Sequence, residues 1–265
     1  MKRKCTIGEV TAFLDEKFRP ELQEDYDNAG FLLGDSTAEY SGALVALDLT
    51  PAVVDEAVER GLNLIVTHHP FIFSGLKRIT DRSEAGRMVM SLVRNGISVY
   101  AAHTNLDNLA WGVNGALAER LGLKDCRILK PQSGDPTVGA GMIGRLPQLT
   151  KAGSFLLKVK RLTKQPSIRT SKHDPKQRIR CVAICGGAGS FLIEEAIAAG
   201  ADLYLTADLK YHDFQRAESR IILADAGHYE TEQFAKEIIS RTISEKFRTF
   251  AVCISERQRS IVQYI

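Results

Sequence analysis

Two periods of apolar residues run through the chain, and the change from one to the other marks its elements. Val10, Phe13, Leu14 and Phe18 recur at helical spacing behind the capping-box pattern Thr6-Ile7-Gly8-Glu9, and Pro20 ends that helix. Gly42 to Leu49 reads as a strand. Thr50-Pro51 then supplies an N-cap with proline at the first helical position, and Gly61 supplies the stop. The β-branched run Leu64-Ile65-Val66-Thr67 is a buried strand that delivers His68-His69-Pro70 at its end. Asp81 is the expected cap of a helix carrying Met88, Met90, Leu92 and Val93, which stops at Gly96. Strand 97–102 then runs into His103-Thr104-Asn105-Leu106-Asp107.

The second half repeats this grammar. Residues 113–121 read as a helix, 124–135 as a Pro/Gly-containing connector, 138–147 as a short strand and 155–162 as a helix. Strand 181–185 precedes Gly186-Gly187-Ala188-Gly189-Ser190 and a helix over 191–199. No Gly-Lys-Ser/Thr follows, so this turn is not a P-loop, and close strand–helix packing is its simplest use. Strands over 202–206 and 221–225 end in Ala207-Asp208 and Ala226-Gly227-His228; Glu232 begins the next helix, and 250–255 is the last strand. Residues 55–67 and 194–206 match in register at Glu, Ala, Gly, Leu and Thr, each a helix, a glycine stop and a strand ending in Thr. They indicate two related α/β layers and an internal pseudo-repeat.

At 265 residues, 44% hydrophobic and 25% charged, the chain can bury a core without disulfides or a structural metal, and no apolar run is long enough for a membrane span. Met1-Lys2-Arg3-Lys4 lacks the apolar stretch of a signal peptide, so a cytoplasmic location is expected. Five cysteines with no CxxC pair suit a reducing compartment and argue against a cysteine-only zinc site; Cys181 and Cys185 fall on one strand face as small core residues. A formal charge of +3 does not by itself imply nucleic acid. The segment 158–180 is nonetheless crowded with Lys and Arg, either to attract an anionic ligand or as a solvated loop and edge strand.

Of six histidines, all except His173 lie at or just past a predicted strand end, mostly beside Asp or Glu. Ligands collect at such ends in open α/β sheets. Imidazole with carboxylate, without cysteine, is a ligand set for Zn, Fe or Mn, and a shared carboxylate can bridge two ions. His68-His69 alone proves little, because neighbours on an extended segment point to opposite sides; two adjacent ions could use that arrangement.

Glu24-Asp25-Tyr26-Asp27-Asn28-Ala29-Gly30, Thr67-His68-His69-Pro70, His103 to Asp107, the 185–190 turn, Thr206 to His212 and Asp225 to Glu232 resemble the Nif-three-like dinuclear metal centre family, the GTP cyclohydrolase 1 type 2 homologues. The resemblance runs nearly end to end. It implies two interlinked α/β domains with mixed sheets flanked by helices, residues 1–127 plus 228–265 forming the first and 128–227 the second, inserted in it. It also implies two divalent metal ions per subunit and a homohexamer, a trimer of dimers. His68, His69, Asp107, His228 and Glu232 match the family's metal ligands, with Glu232 as the bridge. His103 and His212 match positions near that centre and are candidates for proton transfer. Tyr26 stands where the family has Trp, Ala207 where it has Gly, and Glu256-Arg257-Gln258-Arg259 replaces an acidic-proline motif.

The implied function is a metal-dependent hydrolase acting on a nucleotide or phosphoester, with GTP ring opening as the leading candidate. The alternative is a non-enzymatic metal-binding ring protein that regulates, delivers metal or docks with a transcription factor or nucleic acid.

Overall fold

In the computed structural model, which describes residues 4–132 and 134–265, the chain is a mixed α/β protein that divides into two compact units. The first comprises the chain through Leu106 together with Ala235–Arg259, and the second Asp107–Phe234 with Ser260–Ile265. The expected domain limits, 127/128 and 227/228, lie at other positions. Val113–Leu121 falls in the second unit because it packs on the strands there, and Ala235–Lys246 in the first because it packs on the strands of that unit.

The first unit has five strands: β1 (Gly30–Leu33), β2 (Gly42–Ala46), β3 (Leu64–Thr67), β4 (Ser98–Ala101) and, from the returning chain, β11 (Ala251–Ile254). Their order is β1-β4-β3-β2-β11, parallel except for the antiparallel β1. Every residue of β2, β3 and β4 is buried, as a sheet covered on both faces requires. Helices Pro51–Glu59 and Glu84–Arg94 pack Val53, Val54, Ala57, Met88 and Leu92 against Leu44, Ala46, Ile65 and Val99. The helix Ile7–Phe18 has the expected capping box, and its Asp15 accepts a hydrogen bond from the Tyr100 hydroxyl at 2.9 Å. Thr50 and Pro51 open their helix as expected, whereas Ser83, not Asp81, caps the next: its hydroxyl accepts from Gly86 N–H at 3.1 Å.

The second unit has six strands: β5 (Lys124–Gln132), β6 (Asp135–Lys151), β7 (Arg169–Thr170), β8 (Arg178–Ala188), β9 (Leu203–Ala207) and β10 (Ile222–Asp225). Their order is β5-β6-β8-β9-β10-β7, with β8, β9 and β10 parallel and the other pairings antiparallel. The expected connector 124–135 is therefore mostly strand. Only Ile128 and Leu129 are buried in β5, so the alternation is too weak to read, and pairing along β6 determines the conformation. Strand β6 likewise runs well past the expected 138–147, and β8 continues through the glycine turn to Ala188. The helix after that turn is the short Ile193–Ala198. The pseudo-repeat is real in backbone terms: Gly61 and Gly200 both take left-handed φ, 65° and 73°, between a helix and the strands β3 and β9. No helix among the described residues is long and apolar enough to cross a membrane.

Glu56 ties the last segment to the first unit. Its carboxylate, 2% exposed, accepts from Ser255 Oγ at 2.6 Å, Glu256 N at 3.1 Å and Arg257 N at 3.3 Å, and pairs with Arg60 at 2.9 Å. Burial favours the neutral acid, but these hydrogen bonds and the Arg60 charge outweigh it and hold the carboxyl below the usual glutamate range. Its stabilisation is thus present above that range and lost as pH falls through the folded-state value. Glu56→Ala is expected to cost about 3 kcal/mol in urea unfolding, since it strands buried donors. Glu56→Gln should reduce the acid sensitivity of the same midpoint.

Candidate metal centre

The parallel sheet of the first unit brings three imidazoles to one edge. Hydrogen bonds continue past the strand ends, from His68 N to Ala46 O at 3.2 Å, His69 N to Leu47 O at 2.9 Å and Ala102 N to Thr67 O at 2.9 Å. Ligand atoms of His68, His69 and His103 consequently all lie within 4.8 Å of one another. The expectation that His68 and His69 point to opposite sides is corrected here. β3 ends at Thr67 and the next two residues form a bend, so strand alternation no longer applies, and the two ring centroids are 5.0 Å apart.

Each ring is fixed through Nδ1. His68 Nδ1 bonds Ala102 O at 2.6 Å, His69 Nδ1 bonds Asp48 Oδ1 at 2.7 Å and His103 Nδ1 bonds Asp27 Oδ1 at 2.7 Å. With Nδ1–H donating, Nε2 keeps its lone pair for a ligand bond, the arrangement common around protein-bound zinc and iron. Burial raises the pKa of Asp27, but bonds from His103 and Thr104 outweigh it and bring the carboxyl down to about 2. Asp48 receives a further bond from Gln258 Nε2 at 3.2 Å, so the returning C-terminal segment orients the residue that orients His69.

The second unit gathers carboxylates around one imidazole. His228 and Glu232 share the helix His228–Glu232, rather than straddling a turn and the start of a helix, and His228 Nε2 lies 2.9 Å from Glu232 Oε2. His228 Nδ1 bonds Asp208 Oδ2 at 2.7 Å, repeating the pattern of the first unit. Asp208 takes a left-handed backbone conformation, φ 56°, which the buried Asp225 supports by accepting from Leu209 N at 3.0 Å. Burial disfavours the His228 imidazolium, yet its bonds to Asp208 and Glu232 prevail and raise its pKa to about 11; the bond from His228 lowers that of Asp208. Asp107 and Glu232 carboxylate oxygens lie within 4.8 Å of each other. Burial and these two carboxylates raise the pKa of the Cys185 thiol, which stays in the core as the sequence suggests.

Gly187 makes room for Glu232. At φ 64° it donates N–H to Thr231 Oγ1 at 3.0 Å, and a Cβ there would overlap the Glu232 carboxylate. His212 stands apart: it is exposed on the helix Tyr211–Gln215, its ring edge-on to Tyr211, and belongs to none of the metal-capable groups among the described residues. Asp48 is the contributor that sequence reasoning missed. Its only signal was a carboxylate two residues past β2, the strand beside β3.

These donors fit divalent metal: imidazole Nε2 atoms behind anchored Nδ1, and carboxylates within reach of one another in the second unit. Fold and donors together define a mixed α/β protein with imidazole–carboxylate groups that could hold a metal ion.

Residues 5–260 match the family model Duf34/NIF3 (NGG1p interacting factor 3), and the chain belongs to that family. Relatives named GTP cyclohydrolase 1 type 2 homolog include one from Clostridium acetobutylicum, 35% identical over 233 residues (86% of this chain, 86% of the relative), and one from Streptomyces coelicolor, 36% identical over 236 residues (85% and 81%). Among solved structures, a Bacillus cereus protein related to NIF3 superposes with TM-score 0.92 at 23% identity, covering 100% of both chains, and shares the fold. A Staphylococcus aureus protein gives TM-score 0.90 at 28% identity, covering 98% of this chain and 99% of its own.

Two variants test this geometry. Asp208→Asn, which weakens the bond that orients His228, is expected to lower metal affinity about 10- to 100-fold in a competition titration against a chelating dye. Gly187→Ala should displace the Glu232 carboxylate and lower both metal content and melting temperature; a variant that retains the native metal content would show that Glu232 is not needed where it stands.

Proposed function

We propose that His68, His69, Asp107, His228 and Glu232 hold two divalent ions per subunit, Zn, Fe or Mn, with Glu232 shared between them, and that the protein is a hydrolase of a nucleotide or phosphoester. The observation that carries this reading is the uniform anchoring of His68, His69, His103 and His228 through Nδ1 to a carbonyl or carboxylate. His173 Nδ1 also bonds a carbonyl, Ser171 O at 2.9 Å, so the anchoring tells only together with the membership of His68, His69, His103 and His228, but not His173, in the groups whose ligand atoms converge. The family relatives' name makes opening of the GTP imidazole ring, with release of formate, the leading candidate. A homohexamer is part of the same proposal, from family resemblance.

A bound divalent ion would supply Lewis-acid polarisation and water activation near neutral pH. The chain supplies the rest. His103, its Nδ1 proton held by Asp27 at 2.7 Å, presents Nε2 for proton transfer in a fixed orientation. Asp48 and Asp208 set the ring planes of His69 and His228. His212, exposed beside Tyr211, is the second candidate for proton transfer.

Elemental analysis of protein with its native metal, combined with a nucleotide and phosphoester panel that includes GTP, tests the reading. About two equivalents of metal per chain and turnover of a panel member are expected. Asp107→Ala should lower metal content and reduce turnover at least about 100-fold. Metal loss in Asp107→Ala with no turnover by either protein would favour the non-enzymatic, metal-binding alternative. Native protein without metal would end both readings.

A further inference from the structure

The charge of the chain is unevenly distributed. Nine of its 35 Lys and Arg residues, but one of its 32 Asp and Glu residues, lie in 158–180; that segment carries +8 in a chain of net +3, which leaves −5 for the rest. All nine basic side chains are exposed. Three have other work within the second unit: Lys158 Nζ donates to Leu121 O at 2.7 Å, Arg178 to Leu149 O at 3.1 Å, and Arg169 pairs with Asp225. The remaining six, Lys160, Arg161, Lys164, Lys172, Lys176 and Arg180, have no carboxylate within ion-pair distance among the described residues.

This face is built into the fold. The helix Ala152–Thr163 receives the later loop at its start, where Ala152 N donates to Gln177 O at 2.9 Å and Gly153 N to Pro175 O at 3.0 Å. Strand β7 pairs with β10, and Ser171 N donates to Leu223 O at 2.9 Å. Lys160 and Arg161, in the last helical turn, also complement the helix dipole. That accounts for two of the six and leaves the loop and strand residues unexplained.

We infer that the exposed basic face of residues 158–180 binds the phosphate backbone of double-stranded nucleic acid, independently of base sequence. Lys160, Arg161 and Lys164 stand at the end of the helix, and Lys176 lies in the loop that meets its start at Ala152 and Gly153, so the charges are spread along a helix about 18 Å long and suit a polyanion better than one phosphate group. A membrane surface is a poor match, because Ala152, Phe155 and Val159 of this helix are buried in the unit and Leu157 is its one exposed large apolar side chain, too little to insert. The segment contains no Phe, Tyr or Trp, so it offers no stacking platform for bases. The inference stands apart from the metal reading, since none of the proposed ligands lies in the segment.

Fluorescence anisotropy of the full chain with labelled double-stranded DNA of mixed sequence, titrated with salt, is the test. Six phosphate contacts give a slope of log affinity against log salt of about −5, and roughly 10³-fold weaker binding at 200 mM than at 50 mM salt. K160E/R161E/K164E and, separately, K172E/K176E/R180E should each bind at least about 10-fold more weakly and bring the slope to about −3. K17E/R94E/K246E removes the same charge from the last turns of three first-unit helices and should leave binding unchanged. Circular dichroism melts identify any variant that fails to fold, and the second segment variant then decides. No binding at 50 mM salt, equal loss in the control variant, or binding to phosphatidylserine vesicles in place of DNA would overturn the inference.

Discussion

The site depends first on the register of parallel strands. In the first unit Ala46, Thr67 and Ala101 are aligned across β2, β3 and β4, and the ladder continues one or two residues beyond them. Asp48, His68, His69 and His103 therefore leave the sheet at one edge, close enough to bond or to share a ligand. The second unit repeats the device: Thr206 aligns with Asp225, and Ala226 N bonds Thr206 O at 2.9 Å, so that Asp208 and His228 emerge together. A slip of one residue in a central strand of either sheet would send every side chain to the opposite covered face and misfit the packing on both. Core packing thus fixes the site geometry before any polar contact is made.

What was legible in the sequence follows from this. Strands β2, β3, β4, β9 and β10 are continuous apolar runs with polar endings, so both their existence and the chemistry at their ends could be read. The convergence of His228 and Glu232 could also be read, because four residues on a helix is a local relation. Strand β5 could not, since its conformation comes from pairing with β6 rather than from its own pattern. The relative direction of His68 and His69 failed for a related reason. Alternation holds only while the ladder does, and where a strand ends is a tertiary fact.

Asp48 and Gln258 show a further limit. Neither belongs to a motif, and they are 210 positions apart, yet one carboxylate accepts from both Gln258 and His69. The residues that bind could be guessed from type and placement, whereas those that aim them are selected by the fold. Glu56 belongs with them: by holding Ser255 and Arg257 it sets the path of the segment that brings Gln258 to Asp48.

The same contacts have opposite consequences for folding and for binding. Without metal, the proton between His228 and its two carboxylates neutralises a cluster that would otherwise be strongly anionic, which is why the imidazole titrates near 11. On the proposed reading, an ion held at His228 Nε2 would have to displace that proton. The carboxylate at Nδ1 makes the exchange tolerable: Asp208 stabilises positive charge on the imidazole whether a proton or a cation supplies it. A carbonyl partner, as at His68, orients the ring without adding a charge. The units therefore combine two kinds of anchored imidazole, one backed by a carbonyl, at His68, and one backed by a carboxylate, at His69, His103 and His228.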